Sequence, residues 1–430
     1  MEAGRMTRGM AVVLATALVF TAGGASAKLK SGVTLTKDNW TEAVGFAPDL
    51  AGYTAGDVLD GTNYKKWEKY IPAALGLLLE KYGLKMWTTK YKPIHPSVGY
   101  IEASNKYANQ ATLIDSGDNP RKLGLTGYSA GLPFPDPQSG IEVAWNYQYS
   151  YNGDDGGFHY GVYWISAKSG VERSEEWRWL YIIRAMFRTD LAPKPHIPEF
   201  QKKNVQYTSM TWAIEPYDKA GFGALYSRYV EPKDQEGWIY IPTMRRTMKA
   251  SFGTRGDAWN STDMLYEDVR GFMGYPEWMS WKLIKKTTIL APMHSAIQAG
   301  KEGRDRTFDF KTPPHWNFKA KWEPRAVYVV EAIPKFKDYP YSKMVFYFDA
   351  DTFYIPFKET YDKKGKLWKV IFNAYNECPD MDKYPPPIGT SLTIDLQAEH
   401  ATAFPSYNAF ANKGLDPAQF SLSNLQKMGK

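Results

Sequence analysis

The side chains best suited to metal binding or proton transfer are six histidines: His95, His159, His196, His294, His315 and His400. None stands at H-x-x-x-H spacing, so no helix would present two of them on one face, and a single cysteine, Cys378, cannot build a thiolate zinc site. P-loop and dinucleotide-binding patterns are absent. Asp349-x-Asp351 has the spacing of a metal-binding pair, but it falls between two strand candidates, where Asp is favoured because its carboxylate bonds the local backbone. Asp154–Asp155, flanked by Gly153 and Gly156, reads as loop for the same reason. Two carboxylates facing across a cleft would serve glycoside hydrolysis. Glu142, Glu215 and Glu331 are the acids to inspect, and each reads as part of a solvated strand face. Arg245–Arg246 closes the segment 237–246 and could grip an anionic head group, or pair with Asp263, Glu267 and Asp268 further on. Cys378 lies between acids, Glu377 and Asp380, that would raise its pKa, and reads as a buried bystander. The reading is a protein that is not an enzyme, with no catalytic residues, no metal and no cofactor.

The elements that would position these residues are mostly strands. Val143, Trp145, Tyr147, Tyr149 and Tyr151 alternate with Ala144, Asn146, Gln148 and Ser150, which predicts a half-buried strand over 142–151, turned at Asn152–Gly153 into a partner over 159–165. Further strands are expected over 177–187, 206–214, 224–230, 238–241, 281–290, 326–333, 343–348, 352–358, 367–374 and 391–398. Their short, regular spacing argues for an antiparallel meander. Lys363–Lys366, with Gly365 free to take positive φ, makes one of the turns. Helices are few. Trp67, Tyr70, Ile71, Ala74, Leu75, Leu78 and Leu79 recur at helical spacing over 63–82, with Pro72 predicted to split the helix and Gly83 to stop it. The stretch 73–79 is apolar nearly all round, so it belongs in a core or as a plug against a sheet. Residues 263–272, capped by Ser261 or Thr262, and 415–428 are the other candidates. Pro133, Pro135 and Pro137 stiffen the entry to residue 142.

The first residues carry a different signal. Arg5 and Arg8 precede an apolar run over 10–20 and an Ala25-Ser26-Ala27 site, the order of a secretory signal peptide, with cleavage expected after Ala27. Such a run falls short of the roughly 20 apolar residues a membrane span needs, and no later segment approaches that length, so a periplasmic chain without a transmembrane segment is expected. With one cysteine no internal disulfide can form. The formal charge of +7 is spread among acids with no basic stripe, which excludes nucleic acid as the expected partner. Aromatic content is high, with 15 Trp and 30 Tyr, and aromatics serve both strands and apolar pockets.

Two segments are distinctive. Residues 131–151 (GLPFPDPQSGIEVAWNYQYSY) and 237–281 (GWIYIPTMRRTMKASFGTRGDAWNSTDMLYEDVRGFMGYPEWMSW) resemble the bacterial family of domain of unknown function 1329. YVVEA at 328–332, YSKMVFYFDAD at 341–351, YDKKGKLW at 361–368 and the tail 392–404 resemble its recurring blocks. The resemblance implies a fold like the periplasmic lipoprotein carriers LolA and LolB: mainly β, a strongly curved antiparallel sheet forming an unclosed half-barrel covered by helices. It implies an acyl-accepting cavity, a role in outer membrane lipoprotein sorting, and the company of a resistance–nodulation–division (MMPL-type) exporter; it brings no catalytic residues. Residues 28–128 match less well and read as an N-terminal extension continuous with a sheet domain over 129–430. The functional expectation is a carrier or chaperone of a lipid or lipoprotein cargo. Trp145, Tyr147, Trp212, Trp238 and Tyr240 are expected in the pocket and Arg245 and Arg246 at its mouth. The alternatives are a carbohydrate binder or glycoside-active enzyme using aromatic platforms, and a ligand-free scaffold bound to an exporter through a sheet edge.

Overall fold

The computed structural model describes residues 28–251, 256–295, 308–378 and 380–429. The signal peptide expected over 1–27 lies outside the described residues. Among those described, no helix is long and apolar enough to cross a membrane.

One sheet of 15 strands dominates. In chain order its strands are β1 Val58–Leu59, β2 Met86–Thr88, β3 Asp155–Ser166, β4 Gly170–Arg184, β5 Val205–Glu215, β6 Gly223–Tyr229, β7 Glu236–Ile241, β8 Arg246–Ser251, β9 Met279–Ala291, β10 Lys321–Pro334, β11 Lys343–Asp349, β12 Phe357–Tyr361, β13 Leu367–Tyr375, β14 Ile388–Asp395 and β15 His400–Ala411. The bonded order runs β1-β2-β10-β11-β12-β13-β14-β15-β3-β4-β5-β6-β7-β8, with β9 also paired to β10. All pairs are antiparallel except β2 with β10. The path ends at β8 without returning to its start, so the curved sheet is not closed into a barrel.

Alternation along each strand divides the residues between two faces. One face carries the helix α1 Ala73–Tyr82, whose Leu75, Leu78 and Leu79 pack against Ile165, Val327, Val370, Ala401 and Ala403. The expected split at Pro72 is present: a 3-10 helix, Tyr64–Tyr70, precedes it and α1 follows. Gly83 ends α1 at φ +63°, a conformation that favours glycine. The same face of β5–β7 is covered by the short helix Leu422–Met428 through Leu425, where a longer helix over 415–428 was expected.

The opposite face carries a helix where the sequence suggested a strand. Residues Gly140–Gln148 are α-helical. Period-two order misled because this helix is buried nearly all round: Val143 and Tyr147 face the main core while Trp145 and Tyr149, also four apart, stack on each other at 5.7 Å against Phe134 and Met186. Its start is fixed by a capping box. Ser139 accepts from the Glu142 backbone N–H, and the Glu142 carboxylate accepts from the backbone N–H of Ser139 (3.0 Å) and Gln138 (2.8 Å). Glu142 is thus a buried cap and not part of a solvated strand face.

The helix expected over 263–272 is also corrected. Only a 3-10 turn, Tyr266–Gly271, forms there, broken by an extended Val269 and a left-handed Arg270 (φ +58°). The acids meant for a helix start are drawn off to sheet partners, so residues 256–278 run as a strap across this face. Four strands of the sheet went unforeseen, the short β1 and β2 and the longer β8 and β15, and the strand expected over 352–358 begins only at Phe357.

Candidate functional site, an apolar cavity under a strap

Between the strap and the sheet lies a cavity of about 420 Å³, within the ordinary range for small-molecule pockets. Its floor is aromatic. Tyr160 of β3 stacks on Trp177 of β4 (5.7 Å, 10° between planes) and lies 6.1 Å from Phe404 of β15. Thr211 of β5, Ala224 of β6 and Ile239 of β7 continue it as one cross-strand row. Phe222 and Ile241 wall the end towards the β5–β6 and β7–β8 turns, where the exposed Asp218 and Thr243 stand. The roof is the strap, through Trp259, Met264, Tyr266, Val269, Arg270 and Met273. Trp259 closes on the floor at 5.1 Å from Phe404 and 6.1 Å from Trp177. Burial first, with smaller contributions from Tyr226 and Glu175, pushes the Tyr160 hydroxyl well above the usual tyrosine range.

The strap is fastened by polar side chains at both ends. At the first, Asn260 donates to Glu175 (2.9 Å), which also takes the Trp177 indole N–H (3.1 Å) and pairs with Lys219. The Trp164 indole donates to the Ser261 carbonyl (2.9 Å). Further along, Asp263 receives Thr402 (2.6 Å) and His400 (2.7 Å). That hydrogen bond holds the His400 imidazole above its usual pKa against the opposing effect of burial. Asp268 is bound by Lys358 and Tyr341, each at 2.6 Å. Beyond the turn, Arg228 donates to the carbonyls of Met273 and Gly274.

The residues singled out from the sequence fall elsewhere. Trp145 and Tyr147 are core residues of the helix Gly140–Gln148, and the Tyr147 hydroxyl donates to the Phe272 carbonyl (2.7 Å). Trp212, Trp238 and Tyr240 stand on β5 and β7 but face away from the cavity, packed under Leu425. Their chain neighbours Thr211, Ile239 and Ile241 line it instead. Arg245 (φ +49°) and Arg246 are exposed on the β7–β8 turn, next to the lining residues Pro242 and Thr243. They do not reach the strap acids, which have the sheet partners just described. Floor residues Tyr160, Trp177 and Phe404 were missed; the 158–160–162–164 alternation was legible, but nothing marked which parity faced the strap.

The acids considered for glycoside chemistry are dispersed. Glu142 caps a helix, Glu331 pairs with Lys343 (3.2 Å), and Glu215 is exposed at the end of β5. Asp349 and Asp351 do occupy a turn, yet their carboxylates are buried around one guanidinium. Arg325 contacts Asp349 at 2.6 Å, Asp351 at 2.7 Å and Glu323 at 3.0 Å. Among the described residues no three His, Cys, Asp or Glu side chains are arranged to hold a metal ion. Cys378 is half-buried, and burial pushes its thiol up, while Asp380 acts both ways, its backbone N–H lowering the pKa and its carboxylate raising it.

An open half-barrel with a covered apolar cavity is the class of protein that this geometry defines. The chain belongs to the family described as protein of unknown function (DUF1329), whose model matches residues 58–426. A curated relative, uncharacterized protein PA3922 of Pseudomonas aeruginosa, is 25% identical over 290 residues, 63% of this chain. The match spans 57% of that protein's length. Among solved structures, a Vibrio parahaemolyticus domain described as an outer membrane lipoprotein-sorting protein is 17% identical, with a TM-score of 0.47, covering 67% of this chain and 98% of its own. A DUF1329 family protein from Desulfovibrio piger is 16% identical (TM-score 0.46; 66% and 97% covered). The LolA superfamily protein NE2245 from Nitrosomonas europaea is 10% identical (TM-score 0.40; 66% and 99% covered).

Proposed function

We propose that this protein is a carrier that binds the hydrocarbon part of a lipid-like or lipoprotein cargo between the strap and the aromatic floor. The observation that carries the reading is the cavity of about 420 Å³ walled by Phe158, Tyr160, Trp177, Phe222, Ile239 and Phe404. Each methylene moved from water into such a site contributes about 0.8 kcal/mol. Fifteen methylenes would contribute about 12 kcal/mol, which leaves about 8 kcal/mol, near the micromolar range, after about 4 kcal/mol is lost to association and ordering. Nothing but a dry wall and a cover that opens is needed for that. The strap meets the second need, because its fastenings at Asn260 and Asp263 are side-chain contacts and not sheet pairing.

The export signal read in residues 1–27 supports a periplasmic setting. Exchange of cargo with a resistance–nodulation–division exporter is part of the same proposal and rests on the family resemblance. Native mass spectrometry of the gently purified protein tests the carrier reading. The expected result is a co-purified amphiphile that Ala224→Phe, which fills the floor, displaces. A wild-type protein that carries no amphiphile and takes up none from detergent-free lipid suspensions would refute it.

A further inference from the structure

The roof of the cavity contains a cation that the apolar reading does not use. Arg270 lines the cavity and keeps partly accessible surface, although protein surrounds it on its other sides. Its guanidinium has five N–H donors. Its contacts are one hydrogen bond to the Asn152 side-chain oxygen (2.7 Å) and the ring of Tyr147 at 5.9 Å. Among the described residues no carboxylate forms an ion pair with it. The nearby acids are committed elsewhere: Asp268 to Lys358 and Tyr341, Asp263 to His400 and Thr402, and Glu267, also in the lining, accepts from Tyr339 at 3.2 Å. The groups that raise the pKa of Arg270 are tyrosines, Tyr147, Tyr375, Tyr354 and Tyr207, and a second cation, Arg184, also faces it. Burial opposes its charge, but the net shift is upward and a guanidinium keeps its proton, so it remains a cation.

A largely enclosed charge without a counter-ion is costly. The backbone adds to that cost, since Arg270 sits at φ +58°, where an L side chain is strained. That turn is what aims the side chain out of the strap and into the cavity wall. A cation kept there at such expense, with donors to spare and a planar fork suited to two oxygens, matches an anion brought by the ligand.

We propose that the cargo is an amphiphile with an anionic head, a carboxylate or a phosphate monoester, and that this head sits on the guanidinium of Arg270 while its tail lies over Tyr160, Trp177 and Phe404. The proposal rests on the apolar-cargo reading and narrows it to single-headed anions. Three ligands of one chain length separate the two ideas: hexadecanoate, hexadecyl phosphate and hexadecanol, measured by displacement of a fluorescent probe from the full-length mature protein. The expected result is that at least one anion binds the wild type about tenfold or more tightly than hexadecanol. Which anion wins distinguishes carboxylate from phosphate. Arg270→Met should abolish the preference, weakening the anions about tenfold more than hexadecanol. Asn152→Asp, which gives Arg270 an internal counter-ion, should weaken the anions alone, and it keeps the test alive should Arg270→Met fail to fold. Equal affinity for all three ligands in the wild type, or a preference that survives both substitutions, would overturn the head-group assignment and leave the apolar-cargo reading standing. Failure of all three to bind would count against that reading itself.

Discussion

Asp268 and Lys358 form an ion pair of 2.6 Å in which neither side chain reaches the surface. The pair joins the strap to β12 beneath the cavity roof, and Lys358 also donates to the Gly271 carbonyl (2.9 Å), one residue past Arg270. Removing one partner strands the other's charge, which costs about 3–5 kcal/mol, whereas exchanging both for apolar residues of similar size is often near neutral. Lys358→Met should therefore destabilise the protein by that amount in urea titration, and Lys358→Met with Asp268→Leu should recover most of it. A single substitution with no effect would mean that the strap is not held here.

Thr211, Ala224 and Ile239 form one cross-strand row, and Trp212, Gly223 and Tyr240 form the next, on the other face. Substitutions in the two rows should have opposite consequences. Ala224→Phe projects into the cavity and should abolish amphiphile uptake with little loss of stability. Trp212→Ala opens a void under Leu425 and should cost about 3–5 kcal/mol while uptake per folded molecule is unchanged. Uptake assays beside urea titrations would read both, and loss of uptake in Trp212→Ala alone would move the binding site to the opposite face.

That one-residue offset also explains which parts of the site were legible. Period-two patterning located most strands of the sheet to within a few residues, because a half-buried strand writes its burial into the chain. It did not say which of two buried faces was which: β5 to β7 are apolar on both sides, one under Leu425 and one under the strap. Trp212, Trp238 and Tyr240 drew notice by size, whereas the cavity needed the smaller Thr211, Ala224 and Ile239, since open space is made by what is absent. The helix Gly140–Gln148 left a readable trace in Ser139-x-x-Glu142, a capping-box pattern that outranks alternation when both are present. The strap left none. Its path depends on Asp263, Asp268 and Asn260 meeting partners more than eighty residues away in the chain.

The capping box can be tested on its own terms. Ser139→Ala removes the acceptor for the Glu142 backbone N–H and should cost about 1 kcal/mol. Glu142→Leu leaves two part-buried N–H groups, of Gln138 and Ser139, without their acceptor, at about 1 kcal/mol for each. The order Glu142→Leu worse than Ser139→Ala should appear in urea midpoints. The reverse order would show that Glu142 serves some other purpose than holding this turn.

The strap should also respond to pH through His400. Its Nδ1 lies 2.7 Å from Asp263 Oδ2 and its Nε2 3.5 Å from Glu172, and the Asp263 hydrogen bond raises its pKa. A histidine whose folded pKa exceeds the unfolded value of about 6.5 takes up a proton more readily when folded. The stability it adds is fully present below that unfolded value and is lost as pH rises through the raised folded value. Thr402 still binds Asp263 after deprotonation, so the strap is loosened and not released. Compared with His400→Gln, the wild type should be more stable near pH 5.5, with the gap shrinking as pH climbs from about 6 towards 9. Denaturation midpoints for the pair at constant ionic strength would measure this. A gap that stayed flat or widened with pH would show that the imidazole contributes by packing and not by its proton.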